Sequence, residues 1–367
     1  MTETLFSPDY STARARFCEA AGKLGADLER HEIGQRGPDG EELSIDVARF
    51  GSQRPRSLVT VSSGTHGVEG YFGSAVQLAL LNGRLASAPL PDDHAVVLIH
   101  AINPYGFAWN RRVNEDNIDL NRNFLLGDQS FEGSPEGYSG MDPLLNPETP
   151  PGGPEFFVLR AGLKIAQFGM AALKASIATG QYDYPKGLFY GGSGPSRSQQ
   201  ILAGNLPRWV GGAQRAIHLD FHTGMGRWGT YALAVSEPAD APGTCFLRRH
   251  FGNHIEALEP DGVLYEIRGV LGSWLQEQVP DTDYHCLLAE FGTHNVLKVI
   301  GALRAENRAH HHGRPEGRSH QAAKEQMVEA FAPASARWRS KVVLDAVGLY
   351  DTALAALADE TDHARSS

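Results

Sequence analysis

The sequence predicts an α/β fold: a mixed, mostly parallel twisted sheet of about eight strands with helices on both faces. Three observations carry this expectation. Strand-like and helix-like stretches alternate along most of the 367 residues, the pattern of a sheet with helices packed over it. The run HAVVLIHAIN at 94–103 is short and almost wholly apolar, as a strand buried on both faces must be. A hydrophobic fraction of 41% is ample for a core of that size.

Taken in order, residues 10–30 read as an amphipathic helix, with Ala13, Phe17, Ala20, Leu24 and Leu28 at helical spacing. EELSIDVARFG (41–51) and RSLVTVSSG (56–64) read as strands, and 69–84, rich in alanine and leucine, as a helix. Past the 94–103 strand, residues 125–153 are rich in glycine, proline and serine and read as a surface excursion. A helix is expected over 154–178. A second excursion, 182–198, mixes aromatics with glycines; that composition suits the lining of a site, and Tyr190 is its candidate substrate contact. Strands follow at 215–224, 231–237, near 262–267 and at 284–291, then a helix from 294 to about 309. The tail over 319–360 is a helical extension, broken at Pro333 and resuming near 335–358. No repeat or composition shift marks a boundary, so 1–367 is expected to form a single catalytic domain.

The formal charge of −10, from 33 basic and 43 acidic residues, argues against a nucleic-acid or anionic-membrane partner. The N-terminus MTETLFSPDYSTARARF lacks an apolar core for a secretory signal, and no run of eighteen apolar residues exists. Cys18, Cys245 and Cys286 are odd in number and far apart, which suits reduced thiols. The expected location is cytoplasmic.

The chemistry starts in SGTHGVEGYFG, 63–73, where His66 and Glu69 stand three apart at a strand end. Imidazole and carboxylate are two of the three protein ligands a hydrolytic zinc usually has. With fifteen histidines in the chain, chance alone produces such a pair. Its company raises its meaning. In RAIHLDFHTG, alternation puts His218, Asp220 and His222 on one face of a strand. His222, at the strand's C-terminal rim, is the best third ligand. Asp220, deeper on that face, reads as a carboxylate supporting a ligand, and His218 as a satisfied buried histidine.

Residues 110–124 hold three arginines and five asparagines, an excess of donors for a turn. Arg122 with Asn121 suits a substrate carboxylate, Arg112 a scissile carbonyl, and Arg111 is a further substrate-binding candidate. Glu290 closes an apolar run in HCLLAEFGTHN; a carboxylate partly desolvated there rises toward general-base use. HHH at 310–312 lies in a polar stretch and reads as a solvated helix end.

Together these blocks resemble the zinc carboxypeptidase family and its relatives, the aspartoacylases and succinylglutamate desuccinylases. The shared order is His66-x-x-Glu69, Arg112 with Asn121-Arg122, His222 and Glu290. RVNEDNIDLNRNF is similar to the family's R-x-N-x-x-x-x-D-L-N-R-N-F, which singles out Arg112 over Arg111. In YEIRGVLGSW, Tyr265 is followed by Gly269 and Trp274 at the spacing of the family's mobile tyrosine. The resemblance covers about residues 40–310. It implies a zinc carboxypeptidase-like fold and one zinc ion per chain on His66, Glu69 and His222. It further implies Glu290 as general base, Arg112 at the oxyanion, Asn121 and Arg122 on the carboxylate, and Tyr265 closing over it. The residue seven beyond the tyrosine is Gly272, which implies neither a basic nor an acidic preference.

The expected activity is therefore a carboxypeptidase acting on small peptides. An amidohydrolase acting on N-acyl amino acids through the same zinc site is the alternative, and a non-catalytic ligand-binding protein is a third. Oligomeric state is not legible.

Overall fold

A computed structural model describes residues 3–151, 157, 159–160, 162–163, 179–258 and 267–365. Its eight strands are β1 (Asp27–Arg36), β2 (Glu42–Gly51), β3 (Ser57–Ser63), β4 (His94–His100), β5 (Arg215–Thr223), β6 (Tyr231–Pro238), β7 (Ile255–Leu258) and β8 (Asp283–Phe291). They form one sheet in the order β1-β2-β4-β3-β5-β8-β6-β7. The central four, β4, β3, β5 and β8, run parallel, as do β6 and β7; the pairings β1–β2, β2–β4 and β6–β8 are antiparallel. The mixed, mostly parallel sheet expected from the sequence is present.

Helices cover both faces because the strands are apolar on both. Along β5, Ile217, Leu219 and Phe221 join one core with Phe72 of the helix Gly70–Asn82 and Trp338 of the helix Ala336–Arg365. The opposite core takes Leu206 and Trp209 from the helix Arg197–Val210, Trp274 from Leu271–Gln278, and Met327 from Arg318–Phe331. The C-terminal extension is thus an integral layer, divided at Ala332 to Ser335 around Pro333 as its sequence indicates. Among the described residues no helix is long and apolar enough to cross a membrane.

Several boundaries differ from the sequence expectation. The first helix, capped by Asp9 accepting from Thr12 N–H at 2.7 Å, ends at Lys23 rather than near 30. Gly25, at φ +73°, turns the chain into β1. That strand buries only Ile33, so its charged edge residues hide the alternation that would reveal it. The excursion 125–153 contains a helix, Tyr138–Leu145. Most of the expected helix 154–178 and of the expected strand near 262–267 lies outside the described residues; a short strand occurs earlier, at Ile255–Leu258.

The parallel centre positions the site. The C-terminal ends of β3, β4, β5 and β8 emerge on one edge, so the segments beginning at Gly64 and Ala101, and the ends carrying His222 and Glu290, converge there.

Candidate active site

His66 follows β3 in a turn that only glycine permits. A Cβ on Gly67 would lie 2.1 Å from the carbonyl carbon of Gly106. This approach lets Gly67 N–H donate to Arg112 O at 3.0 Å and Val68 N–H to Arg111 O at 2.8 Å. The His66–Glu69 turn is thereby fastened to the arginine segment 45 residues downstream on the same edge.

His66, Glu69 and His222 are all buried, with one ligand atom from each within 4.8 Å of the others. His66 Nδ1 lies 3.0 Å from Glu69 Oε1, and His222 Nδ1 lies 3.1 Å from Glu69 Oε2 and 3.1 Å from His66 Nδ1. Each imidazole uses its other nitrogen on a carboxylate. His66 Nε2 lies 3.1 Å from Asp119 Oδ1, and His222 Nε2 lies 2.5 Å from Asp220 Oδ2. The hydroxyls of Ser62 and Thr65 donate to Asp220 at 2.6 and 2.9 Å, and Thr223 N–H donates to Glu69 at 3.0 Å. A histidine whose outer nitrogen donates to a carboxylate keeps its inner lone pair free and oriented, the arrangement metal sites use.

The buried charges offset one another. Burial alone would raise the Glu69 carboxyl, yet His66 and His222 hold it down at about 2. Burial would likewise lower His222, but Asp220 and Glu69 hold it well above its usual range. Burial would raise Asp119 too, and Arg112 and His66 keep it well below the usual carboxylate range. Three buried carboxylates around two imidazoles call for positive charge at the point where the Nδ1 atoms meet Glu69. The donor set fits a divalent metal.

Arg112 flanks this cluster. Its Nε donates to Asp119 Oδ2 at 3.0 Å, its Nη1 to Glu69 at 3.3 Å, and its Nη2 lies 2.8 Å from His66 Nε2. Next to it opens a cavity of about 330 Å³ lined by His66, Arg112, Asn121, Arg122, His222 and Glu290, among others. Arg122 is 7% exposed; its Nη1 donates to Asn121 O at 2.7 Å and, among the described residues, its buried Nε has no partner. Burial pulls that guanidinium below its ordinary range despite Asp119 nearby. Asn121 Oδ1 accepts from Leu271 N–H at 3.0 Å, which leaves its amide nitrogen as the end available to donate. Gly269, at φ +71°, allows this packing, since a Cβ there would lie 2.2 Å from Arg122 O.

Glu290 stands in register with His222 across β5 and β8. Its Oε1 accepts from Met225 N–H at 2.8 Å, and burial together with the Glu69 charge pushes the carboxyl up to about 7.

The structure therefore brings together His66, Glu69, His222, Glu290, Arg112, Asn121 and Arg122. It does not bring Arg111 or Tyr190 to the cavity. The Arg111 guanidinium is fully buried on the far side of its segment, with Nε donating to Glu306 at 2.9 Å and Nη2 to Asn117 at 2.9 Å. Arg111 is thus committed to Glu306 and Asn117, while Arg112 lines the cavity. Tyr190 packs in the core, and its contribution is a carbonyl that accepts from Asp119 N–H at 2.7 Å. The 182–198 excursion braces the arginines from behind: Tyr182 Oη donates to Arg122 O at 2.8 Å, and the Phe189 ring lies 5.9 Å from Arg112. Tyr265 lies outside the described residues. His310 to His312 form the last turn of the helix Val296–His312, half-buried rather than solvated; burial lowers His310 to about 3 and His311 to about 4. Asp119 is the functional residue that sequence reading passed over, although it stands inside DLNRNF. The signal was available: His66 as a ligand needs an acceptor for its second nitrogen.

The family model described as "Protein of unknown function (DUF2817)" matches residues 6–345. The chain belongs to the DUF2817 family. No curated protein matches the sequence. Among solved structures, bovine thrombin-activatable fibrinolysis inhibitor is similar at 12% identity and TM-score 0.46, covering 93% of this chain and 97% of that one. Carboxypeptidase A from Helicoverpa armigera is similar at 13% identity and TM-score 0.47, over 90% of this chain and 74% of that one. Murein-tripeptide amidase from Escherichia coli O157 is similar at 17% identity and TM-score 0.36, over 84% and 93%. These likenesses concern the course of the chain; function in this DUF2817 member is read from its own residues.

Proposed function

We propose that the protein is a zinc-dependent hydrolase of amide bonds next to a free carboxylate, working as a carboxypeptidase on small peptides. One observation carries this reading. His66 and His222, which with Glu69 form the donor set, line one cavity with Glu290 and Arg122, and among the described residues the buried Nε of Arg122 has no partner. A buried donor left unpaired is costly, and a substrate carboxylate is its natural complement.

Two imidazoles and one carboxylate with room for a further ligand suit zinc, one per chain. Zinc held there supplies a Lewis acid for the scissile carbonyl and lowers the pKa of an attacking water. Asn121 and Arg122 hold the substrate's terminal carboxylate and so set the carbonyl beside Glu290. Glu290 uses Oε2, because Oε1 is engaged by Met225; it takes the water's proton and returns it to the leaving amine. Arg112 turns from Glu69 to the carbonyl oxygen as charge develops there, a role worth about 3 kcal/mol. Tyr265 is assigned, from its spacing to Gly269 and Trp274, to close over the bound carboxylate.

Among the described residues lining the cavity, Arg122 is the cation without a hydrogen-bonded carboxylate, since Arg112 is held by Glu69 and Asp119. A substrate with one carboxylate matches that arrangement. N-acyl amino acids with two or three carboxylates would bury anions without counter-charges, which is strongly unfavourable. The test is metal analysis of the purified protein, followed by assay of N-blocked dipeptides beside N-acetyl and N-succinyl amino acids. Stoichiometric zinc with release of the C-terminal residue is expected. Hydrolysis confined to the N-acyl amino acids would overturn the peptide assignment.

A further inference from the structure

Beyond the metal donors the cavity continues across the sheet, and strand register fixes what lies along it. Asp220 on β5 pairs with Leu288 on β8, Leu288 with Ala234 on β6, and Ala234 with Glu256 on β7. Residues in lateral register share a face, so these four form one row, beside the row His222–Glu290–Ala232. Both rows line the cavity.

The row ends in a carboxylate with nothing to bind. Glu256 is exposed and has no hydrogen bond or ion pair among the described residues. The other lining carboxylates are engaged, Asp220 by His222, Ser62 and Thr65, and Glu290 by Met225. Among the described residues, the methyl groups of Ala232 and Ala234 on β6 stand between Glu290 and the β7 row, with Ser236 further along that strand and Ile267, Val270 and Leu271 adding apolar wall. Adjacent strands lie about 4.8 Å apart, so β7 is roughly 10 Å from β8. That span suits a flexible side chain of three or four methylenes with a charge at its tip, lying on apolar surface and keeping its head in water.

We propose that this arm of the cavity receives the side chain of the carboxylate-bearing residue, and that Glu256 selects a cationic one, lysine or arginine. The inference rests on the carboxypeptidase reading above and names its substrate class. The charge comes from β7 rather than from Gly272. There a Cβ would sit 3.0 Å from Ser236 Oγ and 3.4 Å from Cys286 Cβ, so this part of the wall is close-packed and uncharged.

The experiment compares kcat/KM on N-blocked dipeptides differing only in a C-terminal lysine, arginine, norleucine or glutamate. Norleucine keeps the stem of lysine without its charge. Wild type is expected to favour lysine over norleucine by about fivefold, the upper end for an exposed ion pair. That preference should shrink at high salt. In Glu256→Gln the lysine-to-norleucine ratio should fall to about one, and in Glu256→Lys glutamate should overtake lysine. A lysine preference that survives Glu256→Gln, or a wild-type preference for norleucine, overturns selection by Glu256 while the carboxypeptidase reading stands. Release of no C-terminal residue at all overturns both.

Discussion

Nε2 of His222 and Oδ2 of Asp220 lie 2.5 Å apart, and this contact between residues i and i+2 of one strand face aims Nδ1 of His222 at Glu69. Asp119 performs the same service for His66 from a different segment. Asp220→Ala should therefore weaken metal binding by about 10–100-fold without removing a ligand. Competition against a chromogenic chelator measures it, and an unchanged affinity would refute the supporting role.

Metal should also stabilise the fold. The buried carboxylates of Glu69, Asp119 and Asp220 gather around a point that needs positive charge. Added zinc should raise the thermal midpoint of chelator-treated protein, by about 2.7 kcal/mol of stabilisation at a hundredfold excess over Kd. The shift should vanish in His222→Ala, and differential scanning fluorimetry with and without zinc reads it directly.

Glu290→Gln keeps the size of the side chain and the acceptor for Met225 N–H but removes the base. Turnover should fall by about 10²–10⁴ while zinc content stays stoichiometric. Retained turnover would mean that another group moves the proton.

Arg122→Ala removes the charged donor that faces the cavity. On free-acid peptides kcat/KM should drop by about 10–100-fold, the worth of a charge-assisted hydrogen bond. Peptides ending in an amide should be nearly indifferent to the change. Equal losses on both would indicate a structural role instead.

The Arg111–Glu306 pair predicts a pH-dependent stability remote from the metal. Burial would raise Glu306, but Arg111 and Lys324 hold it at about 2 against an ordinary 4.5. Because the folded value is depressed, the contribution is fully present above about pH 4.5 and is lost as pH falls toward 2. Glu306→Gln should flatten that acid slope in urea titrations. Glu306→Leu should cost about 3–5 kcal/mol at neutral pH by stranding Arg111.

Much of the site was legible because its residues carry unusual chemistry at strand ends. His66, Glu69, His222 and Glu290 each follow or close an apolar run, and alternation along RAIHLDFHTG already separated His222 and Asp220 from the core face. β1 was not legible, since an edge strand with one buried residue lacks a period to read. The motif singles out Arg112, yet nothing in the sequence shows where Arg111 goes; the fold pairs it with Glu306, 195 residues away.

By itself the sequence determined the α/β architecture and picked out His66, Glu69, His222 and Glu290, which the fold brings together, because these follow from local periodicity and from residue types that have few other uses. Only the tertiary structure decided that Arg111 pairs with Glu306, that Tyr190 contributes a carbonyl to the support of Asp119, and that Glu256 ends a row begun at Asp220. Those outcomes depend on lateral register between strands and on buried pairing between distant segments. Neither is encoded in the spacing of residues along a single stretch of chain.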